Sequence, residues 1–204
     1  MRTARVVTLA IVLFAAVAAP ACADVVINEL MADPASDWSP SDGDDVYDSL
    51  DDEWIELLNA GGEAIDMTGW RLRDAVSDSS WKFEFSGVLA GGDMVVLYGN
   101  EAYAWEDANG YTRNGLSLNN GGDTIELVRP DGSVAARVEY TSADTRDDCS
   151  YGRQPDGGAT WVLYDGLNPT SPPATGLDPT PGEPNVGSPV EERTWGRIKA
   201  LYQD

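Results

Sequence analysis

Residues 52–74 place Trp54, Ile55, Leu57 and Leu58 around a polar Glu56, break at Gly61 and Gly62, and resume at Trp70 after a second break at Thr68 and Gly69. Aromatic and β-branched residues fit a pleated surface, and paired glycines supply backbone conformations that a strand interior does not hold. The stretch reads as a strand, a tight connection and a Trp-led return strand, and the same grammar recurs along the chain. Residues 24–31 read as an opening strand. In residues 80–85, Trp81, Phe83 and Phe85 alternate with Lys82 and Glu84, which predicts one buried face and one wet face. Gly91 and Gly92 lead into the apolar run 94–98, which suits a strand covered on both sides. Residues 123–129 and 133–140 flank Pro130, Asp131 and Gly132, a turn sequence that predicts a hairpin, and residues 161–164 add a further strand. Seven or eight short strands with almost no helical periodicity predict an all-β fold, a two-sheet β-sandwich.

The two ends read differently. Residues 1–23 carry Arg2 and Arg5, an apolar run from Val6 to Ala19 and then small residues, the make-up of a secretory signal helix. Cleavage after Ala23 fits best, cleavage before Cys22 also fits, and in a third reading Cys22 is a lipidated N-terminus, making the product an envelope lipoprotein. If Cys22 leaves, Cys149 is alone as a small buried residue; if it stays, the two could form a disulfide. Residues 168–189 are rich in Pro, Thr and Gly and predict extended or irregular chain. In residues 188–204, Ser188 and Glu191 form a capping box around Pro189, and Trp195, Ile198, Leu201 and Tyr202 share one side of a short amphipathic helix, a candidate docking face. The organisation predicted is a signal peptide (1–23), a sandwich (24–187) and a helical tail (188–204).

The chain has a formal net charge of −22, and all 35 acidic residues lie beyond the signal. That field repels nucleic acid phosphates and anionic lipid. With the signal, it predicts a secreted, periplasmic or cell-surface protein with no nucleic acid partner and no membrane span once the signal is removed. The acids concentrate between Asp37 and Glu53, where no basic residue intervenes. Asp42, Asp44, the carbonyl of Val46, Asp48 and Asp51 fall at the spacing of positions 3, 5, 7, 9 and 12 of a calcium loop, with Pro40 at the first position and Asp45 where such loops carry glycine. Calcium is therefore a candidate cofactor. Residues 99–122 read as a long loop whose Tyr103, Trp105 and Tyr111 could stack on a ligand. The chain has no histidine, which removes Ser-His and Cys-His pairs, histidine zinc sites and the commonest general base. Paired carboxylates leave a glycoside hydrolase as the remaining enzymatic alternative.

The order of these pieces resembles a lamin-tail domain, the immunoglobulin-like module of nuclear lamins and of many exported bacterial proteins. The resemblance runs through Val26, Ile27, Asn28 and Glu29; Glu53 to Asn59; Asp66 to Leu72; Phe83 and Phe85; Leu89 to Gly92; Leu116 to Leu127; Asp131 and Gly132; Ser150 to Arg153; and the closing Pro179 to Asn185. It implies an immunoglobulin-like sandwich and a non-catalytic binding, scaffolding or tethering module with a protein or glycan partner at the cell envelope. It implies no catalytic residues. The acidic insert resembles calcium-loop insertions of bacterial relatives.

Overall fold

The structure is a computed structural model that describes residues 25–35, 42–43, 46–74 and 81–185; the expected signal helix and the helical tail lie outside them. β1 (Val25–Met31), β2 (Trp54–Asn59), β7 (Met94–Tyr98), β10 (Ser150–Arg153) and β11 (Trp161–Tyr164) form an antiparallel sheet in the order β11-β10-β1-β2-β7. β4 (Arg71–Asp74), β5 (Trp81–Glu84), β8 (Gly122–Val128) and β9 (Val134–Thr141) form the second sheet, in the order β5-β4-β8-β9. A short ribbon pairs β3 (Ile65–Asp66) with β6 (Val88–Leu89). One core lies between the sheets, with Ile27, Leu30, Ile55, Leu57 and Leu97 from the first and Leu72, Ile125, Leu127, Val138 and Tyr140 from the second. The all-β sandwich is as the alternation predicts.

Some local readings change. The strand and return strand of residues 52–74 do not form a hairpin: β2 pairs with β1 and β7, whereas β4 pairs with β5 and β8. The chain crosses between the sheets through β3, and a turn closed by Trp70 N–H on the Met67 carbonyl, with Gly69 at φ +79°, sets Trp70 into the core. The run Met94–Tyr98 is an edge strand bonded only to β2, and none of its residues is exposed on either face. Residues 99–122 are not a continuous loop, because Gly99–Asn109 form helix α1.

Helix α1 has little apolar periodicity, since its buried residues are Gly99, Ala102 and Glu106. Local chemistry defines its ends instead. The Glu101 carboxylate accepts the Tyr98 backbone N–H at 3.0 Å, and Gly110 closes the C-terminus in the left-handed conformation at φ 75°. Helix α1 packs on β5 and buries Lys82 at 2% exposure, and a register shift between Leu72 and Arg73 sets Phe83 opposite core Leu72 but Trp81 opposite Arg73, so the single buried face of Trp81, Phe83 and Phe85 that the alternation predicts does not form.

The hairpin turn is as read: Gly132 N–H bonds the Arg129 carbonyl, and the Asp131 carboxylate accepts the Ser133 N–H at 2.9 Å. Residues 165–185 are irregular, as their composition predicts. They lie over the outer face of the five-stranded sheet, where Trp54, Glu56 and Leu58 point away from the core and are nonetheless buried. Asp165, itself fully buried, organises this strap. One carboxylate oxygen accepts the N–H groups of Thr170 and Ala174 and the Thr170 hydroxyl, and the other accepts the N–H groups of Thr175 and Gly176.

Candidate functional site

The acidic segment is seated on the N-terminus of α1, where the first N–H groups of a helix lack intrahelical acceptors. Gly99 N–H donates to the Glu53 carbonyl at 2.9 Å and Asn100 N–H to the Asp51 carbonyl at 3.3 Å, while the Asn100 amide donates to Asp42 at 2.7 Å. A Cβ on Gly99 would overlap the Leu50 carbonyl, so only glycine permits this approach. Asp48 folds its own turn: its side chain accepts the N–H groups of Leu50 and Asp51, and its backbone N–H donates to buried Asp52. Of the candidate calcium ligands, Asp44 lies outside the described residues. Asp42 and Asp48 are each engaged as hydrogen-bond acceptors, and among the described residues no three acidic, cysteine or histidine side chains are grouped to hold a metal ion. The segment presents apolar surface, with Val46, Tyr47 and Leu50 exposed at 62, 46 and 41%.

The three candidate ligand-binding aromatics sit on and just after α1. Trp105 stacks on Tyr111 at 5.2 Å between ring centroids and leans on Phe83 at 6.2 Å, and the Arg113 guanidinium lies 5.5 Å from the Tyr103 ring. Trp105 and Tyr103 are half-buried, and Tyr111 is 38% exposed. The helix brings them to the same end of the sandwich as the acidic segment, because that segment and the aromatics share α1 as their support. The tail residues Trp195, Ile198, Leu201 and Tyr202 lie outside the described residues.

Two groups of buried carboxylates were not read from the sequence, in which acidity pointed to a solvated surface. In the first, a bulge in β1 between Ile27 and Glu29 turns Asn28 and Glu29 toward the strap. Glu29 stands opposite Glu56 of β2 and accepts the Ser150 hydroxyl at 2.5 Å, the Thr180 N–H at 3.1 Å and the Thr180 hydroxyl at 2.9 Å. Glu56 accepts the Gly182 N–H at 2.7 Å and the Asn28 amide at 2.8 Å, and the same amide donates to Asp156 at 2.9 Å. Gly152 lies against Glu29 so closely that a Cβ would come within 2.8 Å of its Cγ. Burial pushes the Glu29 carboxyl up to about 7, against the opposing effect of its hydrogen bonds. Glu56 is raised well above the carboxylate range by burial and then by the charge of Glu29.

In the second group, Glu53, Asp74, Lys82, Glu106 and Asp123 are buried between α1 and the four-stranded sheet. Burial raises Glu53 well above the usual range, although the N–H groups of Leu118 and Ser117 oppose the shift. Asp123 is raised by burial and by its neighbour Asp74. Across the outer face of the same sheet, Trp81, Arg73, Glu126 and Arg137 stand in one cross-strand row. Arg73 and Arg137 contact Glu126 at 2.7 and 2.8 Å, and Arg71 and Arg73 lie 5.3 and 5.7 Å from the Trp81 ring. Cys149 is buried and free, its thiol pushed up to about 11 by burial, while Cys22 lies outside the described residues.

The buried acids bind this molecule's own backbone, whereas the exposed chemistry lies on α1, the acidic segment and the Arg-Trp row. Among the described residues no helix is long and apolar enough to cross a membrane. A family model described as Lamin Tail Domain matches residues 18–142, which takes in every strand from β1 to β9. β10, β11 and the strap lie beyond the match, yet β10 pairs directly with β1. No curated protein matches the chain.

Proposed function

The chain belongs to the lamin tail domain family, and from that premise we propose that it is an exported, non-catalytic binding module that tethers or assembles components at the cell envelope through the α1 end of the sandwich. One observation carries this reading: three of the carboxylates with raised protonation ranges, Glu29, Glu53 and Glu56, are buried and accept hydrogen bonds from the strap and loop backbone. A rigid scaffold holding exposed loops and aromatics is the common build of a binding module. The presented surface is Val46, Tyr47 and Leu50 with Trp105 and Tyr111, and its partner is an envelope protein or glycan.

The test is a pull-down from envelope extract with the secreted form and with a Trp105→Ala, Tyr111→Ala double variant, both shown to be folded. A partner held by the first and lost by the second is expected. A turnover that disappears when one carboxylate is neutralised overturns the reading. Calcium enters this proposal only through residues 42–51. At about 1 mM calcium and a dissociation constant of about 0.1 to 1 mM, binding would add about 0.4 to 1.4 kcal/mol, and a melting shift with calcium but not magnesium would bring the ion in. The mass of the mature N-terminus separates a free secreted module from a lipoprotein anchored at Cys22.

A further inference from the structure

Lys82 of β5 and Glu106 of α1 are buried at 2 and 0% side-chain exposure, with Nζ 4.0 Å from Oε1. A charge-assisted hydrogen bond would bring such atoms to about 2.8 Å. At 4.0 Å the pair gains little to offset the desolvation of two charges. The two oxygens of Glu106 differ. Oε2 accepts the N–H groups of Asn114 at 2.6 Å and Gly115 at 2.9 Å, whereas Oε1 is buried with no hydrogen-bond partner and lies toward Lys82. Two converging backbone N–H groups on one oxygen are the arrangement that stabilises an oxyanion on a tetrahedral carbon. The oxygen left unbonded is the one free to depart. Glu53 is near enough to Lys82 for the ammonium charge to act on it, and burial raises its carboxyl well above the usual carboxylate range, so it can give up a proton and take one back.

We propose that Lys82 and Glu106 condense to an intramolecular isopeptide bond that staples α1 to β5. Lys82 gives up a proton, and the Nζ lone pair attacks Cδ of Glu106. The Nζ–Cδ bond forms as an electron pair moves onto Oε2, between the Asn114 and Gly115 N–H groups. The pair returns as the Cδ–Oε1 bond breaks, and Oε1 leaves as water with two of the three ammonium protons, relayed by Glu53. An ammonium and a carboxylate become an amide and water, so atoms and charge balance without an oxidant or co-reactant. The product removes two buried charges from a site that excludes the water needed to reverse the step.

The mass of the intact, reduced chain tests this directly. With the N-terminus established, it is expected about 18 Da below the sum of its residues, the mass of the water lost. Trypsin is expected to leave Lys82 uncut, so residues 74–113 appear as one internally closed peptide. Lys82→Met and Glu106→Ala should restore the full mass. Glu106→Gln, which condenses by losing ammonia, should give the wild-type product mass. Glu53→Gln should slow accumulation of the bond about tenfold or more, the scale of a lost proton relay. Wild-type folded chain that retains its full mass after prolonged incubation and is cut after Lys82 overturns the proposal. That result needs no variant to fold.

Discussion

Asp165 is a residue whose surroundings decide its role. Burial alone would raise its carboxyl, but the N–H groups of Ala174, Thr170 and Gly176 and the Thr170 hydroxyl outweigh it and hold the group well below the carboxylate range. Asp165→Asn turns an NH2 group toward several of these donors, and leaving buried donors unsatisfied costs about 1 to 3 kcal/mol each. The expected loss is about 3 kcal/mol, read as a lower denaturant midpoint at unchanged m-value. Because the folded pKa is depressed, this contribution is present above about 3.9, the unfolded value, and is lost as the pH falls below it. Nothing in the sequence distinguishes Asp165 from the other acids, because its five donors come from residues 170–176, whose fold depends on Asp165. Glu29 and Glu56 were equally hidden. Each sits in a run that reads correctly as strand, but the strap that buries the outer face is identified only as irregular chain.

At the scale of elements, the strap from Thr180 to Asn185 is part of the sandwich. Its Thr180, Gly182 and Asn185 N–H groups bond Glu29, Glu56 and Asp156, and the Asn185 amide reaches the Arg153 carbonyl. Leaving a buried hydrogen-bonding group unsatisfied costs about 1 to 3 kcal/mol, so truncation after residue 178 should cost about 4 kcal/mol more than truncation after residue 185. Equal effects of the two cuts would show that the strap contributes nothing to the fold. The strands themselves were legible: β1, β2, β4, β5, β7, β8, β9 and β11 follow period-2 alternation or short apolar runs bounded by turns. β3 and β6 have two residues each, too few for a period, and β10 carries Gly152 where Glu29 needs the space. Helix α1 was missed because it buries Ala102 and Glu106 in place of an apolar stripe. Glu101 three residues after Tyr98, with Gly110 at the far end, was the available signal. Missing the helix also misplaced Lys82, which α1 buries, and the register shift in β5 breaks the alternation that read it as wet.

For the molecule as a whole, the net charge of −22 and the buried carboxylates act in the same direction. Glu29, Glu53, Glu56 and Asp123 have folded pKa values raised by burial, so over the interval above their unfolded values the native state binds more protons than the unfolded chain. Stability from this source is fully present below about 4.3, the unfolded glutamate value, and declines as the pH rises. For Glu29 the decline runs through about 7. Self-repulsion of the remaining surface acids has the same sign, since deprotonation adds like charge to the compact state. The melting temperature is therefore expected to be higher at pH 5 than at pH 8, by about 5 °C or more for a domain of this size. Glu29→Gln discriminates between the two sources. It cannot ionise, so it removes the part of the slope that belongs to the strap interface and leaves the surface contribution in place. A variant that melts closer to its pH 5 temperature at pH 8 than the wild type does assigns the slope to the pair Glu29 and Glu56. An unchanged slope in the variant assigns it to the surface, and a wild type more stable at pH 8 contradicts the buried, protonated state of these carboxyls.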